Sequence, residues 1–146
     1  MVYRTVKTLN AIEAAYIAGL IDGEGTITLS RRNRNKKRGL VVSISNTEKD
    51  ILNYVQDTVG AGKITNKRTT SSNHTPSYAF NIANRQALGL LRYIAPFLQS
   101  HKAKRASLVL QDYVRLTPRN GRYTHDQIQE REDFARKFFS IRSTGF

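Results

Sequence analysis

The spacing of apolar residues changes several times along the chain, and each change marks an element. Ala11 to Asp22 is rich in Ala, Ile, Leu and Tyr without proline and runs into Gly23 and Gly25, which predicts a helix that ends in permissive residues. From Thr26 to Arg32 apolar and polar residues alternate with period two, and Leu40 to Ser45 is a second β-rich run beyond the polar turn Asn33 to Gly39. These predict a hairpin. Lys49 to Val59 carries Ile51, Leu52, Val55 and Val59 on one side, as a helix would, and Gly60 and Gly62 end it. A second hairpin follows, Lys63 to Thr69 with Ser77 to Ala83, joined by TSSNHTP. Helical spacing returns over Arg85 to Ala95, over Lys102 to Leu116 after Pro96, and over Asp126 to Ile141 after TPRNGRYT. Strands arrive in hairpins and do not alternate with helices. The expected fold is therefore α+β: an antiparallel four-stranded sheet of two hairpins, helices gathered on one face, in the order αββαββαα plus a C-terminal helix.

Side chains alternate along a strand, so each face of this sheet has a composition of its own. Thr26, Thr28, Ser30 and Arg32 share one side and Ile27 and Leu29 the other, with Val41 and Ser43 on the polar side of the next strand. In the second hairpin Lys63, Thr65 and Lys67 stand opposite Ile64, while Ser77, Ala79 and Asn81 stand opposite Tyr78, Phe80 and Ile82. One face is apolar; the other is cationic and rich in hydrogen-bonding groups, without a single acid. Solvated faces usually mix Asp and Glu with Lys. A two-stranded ribbon fits the DNA major groove, and these side chains reach phosphates and base edges. The predicted DNA-binding set is completed by Arg34, Lys36, Lys37 and Arg38 in the first turn.

Charge strengthens that expectation. Twenty-four Lys and Arg against eleven Asp and Glu give a formal charge of +13 over 146 residues, which points to a polyanionic partner for a single domain, residues 1–146. No acid occurs between Glu24 and Glu48 or between Asp57 and Asp112. The longest apolar stretch, Ala14 to Ile21, falls well short of the roughly 20 residues of a membrane span, so no membrane partner is expected. No secretory-type segment opens the chain, and the absence of cysteine excludes disulfides, thiolate zinc sites and cysteine nucleophiles. An intracellular setting is expected. His74, His101 and His125 lack metal-ligand spacing, and Gly60 to Gly62 is not followed by the Lys-Ser or Lys-Thr pair of a phosphate loop. Phe134, Phe138 and Phe139, with Ile128 and Ile141, are assigned to the core.

The first helix holds the remaining chemistry. Ala11, Ala15, Gly19 and Gly23 recur every four residues and leave one face almost without side chains, so that a second such helix, or the chain's own sheet, could approach closely. Glu24 follows at the negative pole of that helix, where an anion is disfavoured unless a cation joins it. A divalent metal answers that conflict, and carboxylate with backbone carbonyl oxygens suits magnesium in phosphodiester cleavage.

Ile17 to Gly25, IAGLIDGEG, resembles the nine-residue signature of the LAGLIDADG homing endonucleases, departing at Ile17, Gly23 and Glu24. TITLS, LVVSISNTEKDIL, VGAGKI, PSYAFNIANRQAL and PFLQSHKAKRASLVL extend the likeness over roughly Ala11 to Leu110. The resemblance implies a saddle-shaped sheet laid along double-stranded DNA. It implies a homodimer joined through Ala11, Ala15, Gly19, Asp22 and Gly23, and a metal held by Glu24 with the Gly23 carbonyl. Asp22 is implied to be the more structural of the two acids. Asn46 would orient water, Lys102 would stand beside the scissile phosphate, and Lys49 is a further basic candidate. Mg2+ or Mn2+ is the implied cofactor, with Ca2+ as a non-catalytic substitute. The implied activity is that of an intron-encoded enzyme that cuts a long, near-palindromic site, one half-site per subunit, wherever the host intron's DNA resides. An RNA-binding intron maturase and a DNA-binding protein without cleavage are the rival readings.

Overall fold

The computed structural model of the chain describes residues 5–31, 38–67, 75–117 and 122–143. Its elements are α1 (Ala11–Glu24), β1 (Gly25–Ser30), β2 (Gly39–Asn46), α2 (Lys49–Val59), β3 (Lys63–Lys67), β4 (Ser77–Ala83), α3 (Asn84–Ile94), a 3-10 turn (Ala95–Phe97), α4 (His101–Asp112) and α5 (His125–Ser140). The strands form one antiparallel sheet in the order β1-β2-β4-β3, so the two hairpins join through β2 and β4. The expected class and element order hold.

Local chemistry explains the boundaries. Asn10 accepts from the Glu13 amide while the Glu13 carboxylate accepts from the Asn10 amide, a reciprocal cap that starts α1. Gly60 closes α2 in the left-handed region at φ 76°, and Gly62 follows at φ 94°, where a Cβ would collide with the Phe80 ring. Neither Gly23 nor Gly25 stops α1 in that way. The helix runs through Gly23 and Glu24, and Gly25 is extended at φ −113°. Glycine is needed at position 25 for proximity: a Cβ there would lie 2.7 Å from both the Ile21 α-carbon and the Ser43 carbonyl oxygen. Two other boundaries differ from expectation. α4 ends at Asp112, with Tyr113 to Leu116 in turns, and β1 ends at Ser30. Arg32 and Thr69, expected within strands, lie outside the described residues.

The core sits between the apolar sheet face and the helices. Ile27, Leu29, Leu40, Val42, Ile44, Phe80 and Ile82 are buried beneath Ala14, Ile17, Ala18 and Ile21 of α1, with Leu52, Val55, Leu91 and Ile94 of α2 and α3. Burial at 14, 17, 18 and 21 has the period of a helix that lays one stripe on a sheet. Phe138 is buried, with Phe134, Phe139 and Ile141 packed against the same core. Among the described residues Tyr113 is the one buried side chain that carries a polar atom, and no buried side-chain N or O among them lacks a partner.

Candidate active site and nucleic-acid interface

Because β1 begins directly after α1, Glu24 is placed at the edge of the sheet, exposed at the end of its helix. Gly25 pairs with Ile44, so the next residues of β2 return beside Glu24. There the Asn46 amide donates to Glu24 Oε2 at 2.8 Å, while Asn46 Oδ1 accepts from the Glu48 amide at 2.8 Å. The second contact fixes which end of the amide faces Glu24.

Asp22 and Lys102 make a reciprocal link between α1 and α4. The Asp22 carboxylate accepts from the amides of Gln99 and Ser100, at 2.8 and 3.2 Å, and from the Ser100 hydroxyl at 2.5 Å. The Lys102 ammonium donates to the carbonyls of Ile21 at 2.7 Å and Asp22 at 3.0 Å. An anion thus sits at the start of α4 and a cation at the end of α1, the arrangement both helix dipoles favour. Partial burial works to raise the pKa of Asp22, but the Ser100 hydroxyl, the two amides and the Lys102 charge together hold it below its ordinary value. For Lys102, desolvation pushes the pKa down against the pull of Asp22, and Arg105 adds to the depression. Lys102 therefore supplies, within the subunit, part of the cation that the helix end was expected to require from a metal.

Lys49 is placed differently. It is exposed at the start of α2 with its ammonium 5.5 Å from the centre of the Tyr78 ring, and no described contact joins it to Glu24. Asp22, also expected at the interface, has its carboxylate part-buried and engaged by Gln99 and Ser100 of its own chain. Sequence reasoning missed both partners. The serine at the start of α4 was a visible cap signal, but nothing in the sequence linked it to Asp22.

The donor set suits a hard divalent ion and is incomplete in one chain. Glu24 offers an exposed carboxylate, and no described side chain bonds to the Gly23 carbonyl. No group of three or more His, Asp or Glu placed to hold a metal ion exists among the described residues. Magnesium needs about six oxygens, so further ligands must come from water, phosphate or a second chain.

The outer face of the sheet carries the predicted row. Register places Thr26 beside Ser43, Ser43 beside Asn81, Asn81 beside Lys63, and Ala79 between Ser45 and Thr65. Thr28 and Val41 pair in the same way, and Lys67 pairs with Ser77. The Thr26 and Ser43 hydroxyls are 2.7 Å apart, and the Lys67 ammonium reaches Ser45 Oγ at 3.2 Å. Lys67 must cross β4 to do so, at the level of Ala79, which is only 8% exposed. Ala79 has little surface left to offer a ligand. Arg38 lies on the helix side: it donates to the Leu29 carbonyl and its guanidinium stands 5.1 Å from the centre of the Phe139 ring. It is thereby removed from the expected outer row. Arg34, Lys36 and Lys37 fall, like Arg32, outside the described residues.

The small-residue face of α1 is not packed on its own sheet. Ala11, Ala15, Gly19 and Gly23 are exposed, Ile12 is 82% and Tyr16 45% exposed, and no atom of the described residues lies within 4 Å of where a Cβ at Gly19 or Gly23 would stand. Tyr16 meets Tyr54 of α2 edge to face at 5.3 Å.

The family description that matches residues 11–140 is the LAGLIDADG-like domain. The chain belongs to this family. Among curated proteins, it is 26% identical over 104 residues to the intron-encoded DNA endonuclease ai2b of Dictyostelium discoideum, which covers 70% of this chain and 39% of that protein. The chain thus spans well under half the length of that curated relative. Among solved structures, the homing endonuclease I-CvuI in complex with its target in the presence of Ca superposes with a TM-score of 0.74 at 22% identity, covering 93% of this chain and 85% of that one. The meganuclease I-AabMI bound to uncleaved DNA gives 0.62 at 16% identity, covering 90% of this chain and 46% of that one.

Proposed function

We propose that this LAGLIDADG-like chain is a site-specific, divalent-metal-dependent DNA endonuclease that works as a homodimer on a long, near-palindromic site. The observation that carries the reading is the continuity of α1 and β1. One element ends in the Asn46-supported Glu24 carboxylate and the next begins the acid-free polar row, so chemistry and recognition share one peptide bond. Glu24 and the Gly23 carbonyl would hold the cation, Mg2+ or Mn2+ for cutting. When bound, it polarises the phosphate and makes water a better nucleophile. Asn46 keeps the carboxylate oriented and presents an amide to solvent beside it. Lys102 places a positive charge at the same helix end, where charge develops on the phosphate. Lys63, Lys67, Thr26, Thr28 and Ser30 hold backbone and bases along the strands.

One carboxylate per chain leaves one strand uncut. The bare, exposed face of α1 is the surface on which a second copy would bring its own Glu24 close. The 46% coverage of I-AabMI supports this, because it leaves room for a second such unit in that longer chain. The genetic context that fits is an intron that encodes the enzyme, with the protein acting beside its host DNA.

The test is Glu24→Gln. This variant should fold and bind the target like the parent but lose magnesium-dependent nicking and cutting of a plasmid that carries it. Undiminished cutting would overturn the assignment. Parent protein that binds the site and leaves it intact in magnesium would support a DNA-binding protein without cleavage, and tighter binding to the intron transcript than to DNA would support the maturase.

A further inference from the structure

The C-terminal helix α5 is joined to the first hairpin by contacts that the active site does not use. The Arg131 guanidinium donates to the Arg38 carbonyl at 2.7 Å, at the entrance to β2, and to Thr117 Oγ1 at 2.9 Å, with a second contact to the Leu116 carbonyl. Arg38 in turn lies over the Phe139 ring and donates to the Leu29 carbonyl of β1. Arg105 of α4 stacks on Phe138, 4.7 Å from the ring centre, and donates to the carbonyls of Ile27 and Ile141 at 2.9 and 2.7 Å. On the adjoining side the Tyr113 hydroxyl accepts from the Leu40 amide and donates to Asn84 Oδ1. Both strands of the hairpin are therefore held, from the helix side, through their backbones. Phe138 is the one described residue of α5 that is fully buried, with Phe134 and Phe139 packed beside it, and these polar and stacking contacts add to that attachment.

We infer that Arg131 and Phe139 are positioning residues for base discrimination, setting the pitch of the far end of the β1–β2 hairpin without touching DNA. The inference rests on the endonuclease reading. Glu24 marks the inner end of each half-site, and the strand runs outward from it. Thr26 to Ser30 spans roughly 14 Å at about 3.4 Å per residue. That corresponds to about four base pairs at 3.4 Å each. A tilt of the far end moves Ser30, Thr28 and Val41 relative to the outer base pairs and leaves Thr26 and Ser43, near the cut, almost in place.

Arg131→Gln and Phe139→Leu test this in the full chain, with two measurements. Amide hydrogen exchange without DNA should accelerate at least tenfold over Gly39 to Val42 and Ile27 to Ser30 and stay unchanged in α2 and β3. Binding and cleavage profiles over a library of single-base target variants should show outer-position preferences reduced about tenfold, with preferences near the cut retained. Unchanged exchange in the hairpin overturns the inference, as does faster exchange with an unaltered preference profile or an equal loss at every position. A parent protein that neither binds nor cuts the site defeats the endonuclease reading before any variant is made, and the inference falls with it. The exchange data would still report whether α5 supports the hairpin.

Discussion

Asp22 and Glu24 lie two residues apart and have different duties, which their hydrogen bonds reveal. Asp22 spends its oxygens on Gln99 and Ser100, whereas Glu24 receives one amide and keeps the rest open. Asp22→Ala should therefore act on stability, costing about 2 kcal/mol through lost charge-assisted bonds. That corresponds to a fall of roughly 4 to 8 °C in Tm by calorimetry. The linkage has a definite sign. The pKa of Asp22 is lower in the folded chain than its ordinary 3.8, so its stabilisation is complete above that value and is lost as pH falls through the folded one. Asp22→Asn should flatten that acid limb of a stability-pH curve, and an unaltered limb would show that another carboxylate controls it. Lys102 differs again, since burial already disfavours its charge. Lys102→Met should lower the single-turnover cutting rate about a hundredfold with target binding retained. Equal loss of binding would make it a docking residue.

At the scale of elements, α1 separates two kinds of glycine. Gly25 is required inside the subunit, because any Cβ would strike the Ile21 and Ser43 backbones. Gly25→Ala should cost about 1 to 3 kcal/mol of folding stability, read by denaturant unfolding. Gly19 meets nothing among the described residues of its own chain, so Gly19→Leu should leave the monomer folded and separate the proposed dimer by sedimentation. A variant that remains dimeric and active would place the contact elsewhere. Much of this was legible in the sequence. The period of Ile51, Leu52, Val55 and Val59 gave α2 its bounds, and alternation gave both faces of the sheet, because local spacing reports local geometry. The end of α1 was misread because a glycine after a helix suggests a left-handed stop, whereas Gly25 opens a strand. α4 was drawn too long, since Tyr113 and Leu116 continue its apolar period while the chain turns. Asp22 with Ser100, and Arg38 with Phe139, were invisible for a different reason: spacing says nothing about pairs brought together by the fold.

For the molecule as a whole, the distribution of charge matters more than its total of +13. Acids return at Asp112, the end of α4, and along α5, where Glu130 pairs with Arg115 at 2.6 Å and Asp133 with Arg136, while the outer row of the sheet has none. The protein is thereby polarised, and DNA should meet the sheet first. Within that face Lys67 is already directed inward across β4 to Ser45, so its ammonium is held over the middle of the row and not over the rim. A lysine so placed is positioned for a base edge in the groove. Lys67→Ala should cost roughly 1 to 3 kcal/mol at one target position and leave the others nearly unchanged. A phosphate contact would instead weaken every target alike and reduce the salt dependence by about one unit of slope, the behaviour expected of Lys37. Ser45→Ala should reproduce part of the Lys67 effect at the same position, and the double variant should fall short of the sum, because the hydroxyl acts through the ammonium. Profiles over single-base variants at two salt concentrations decide the matter. Should Lys67→Ala lower all targets equally, its ammonium lies on the DNA backbone, and recognition by the second hairpin must be assigned to Asn81 and Thr65 instead.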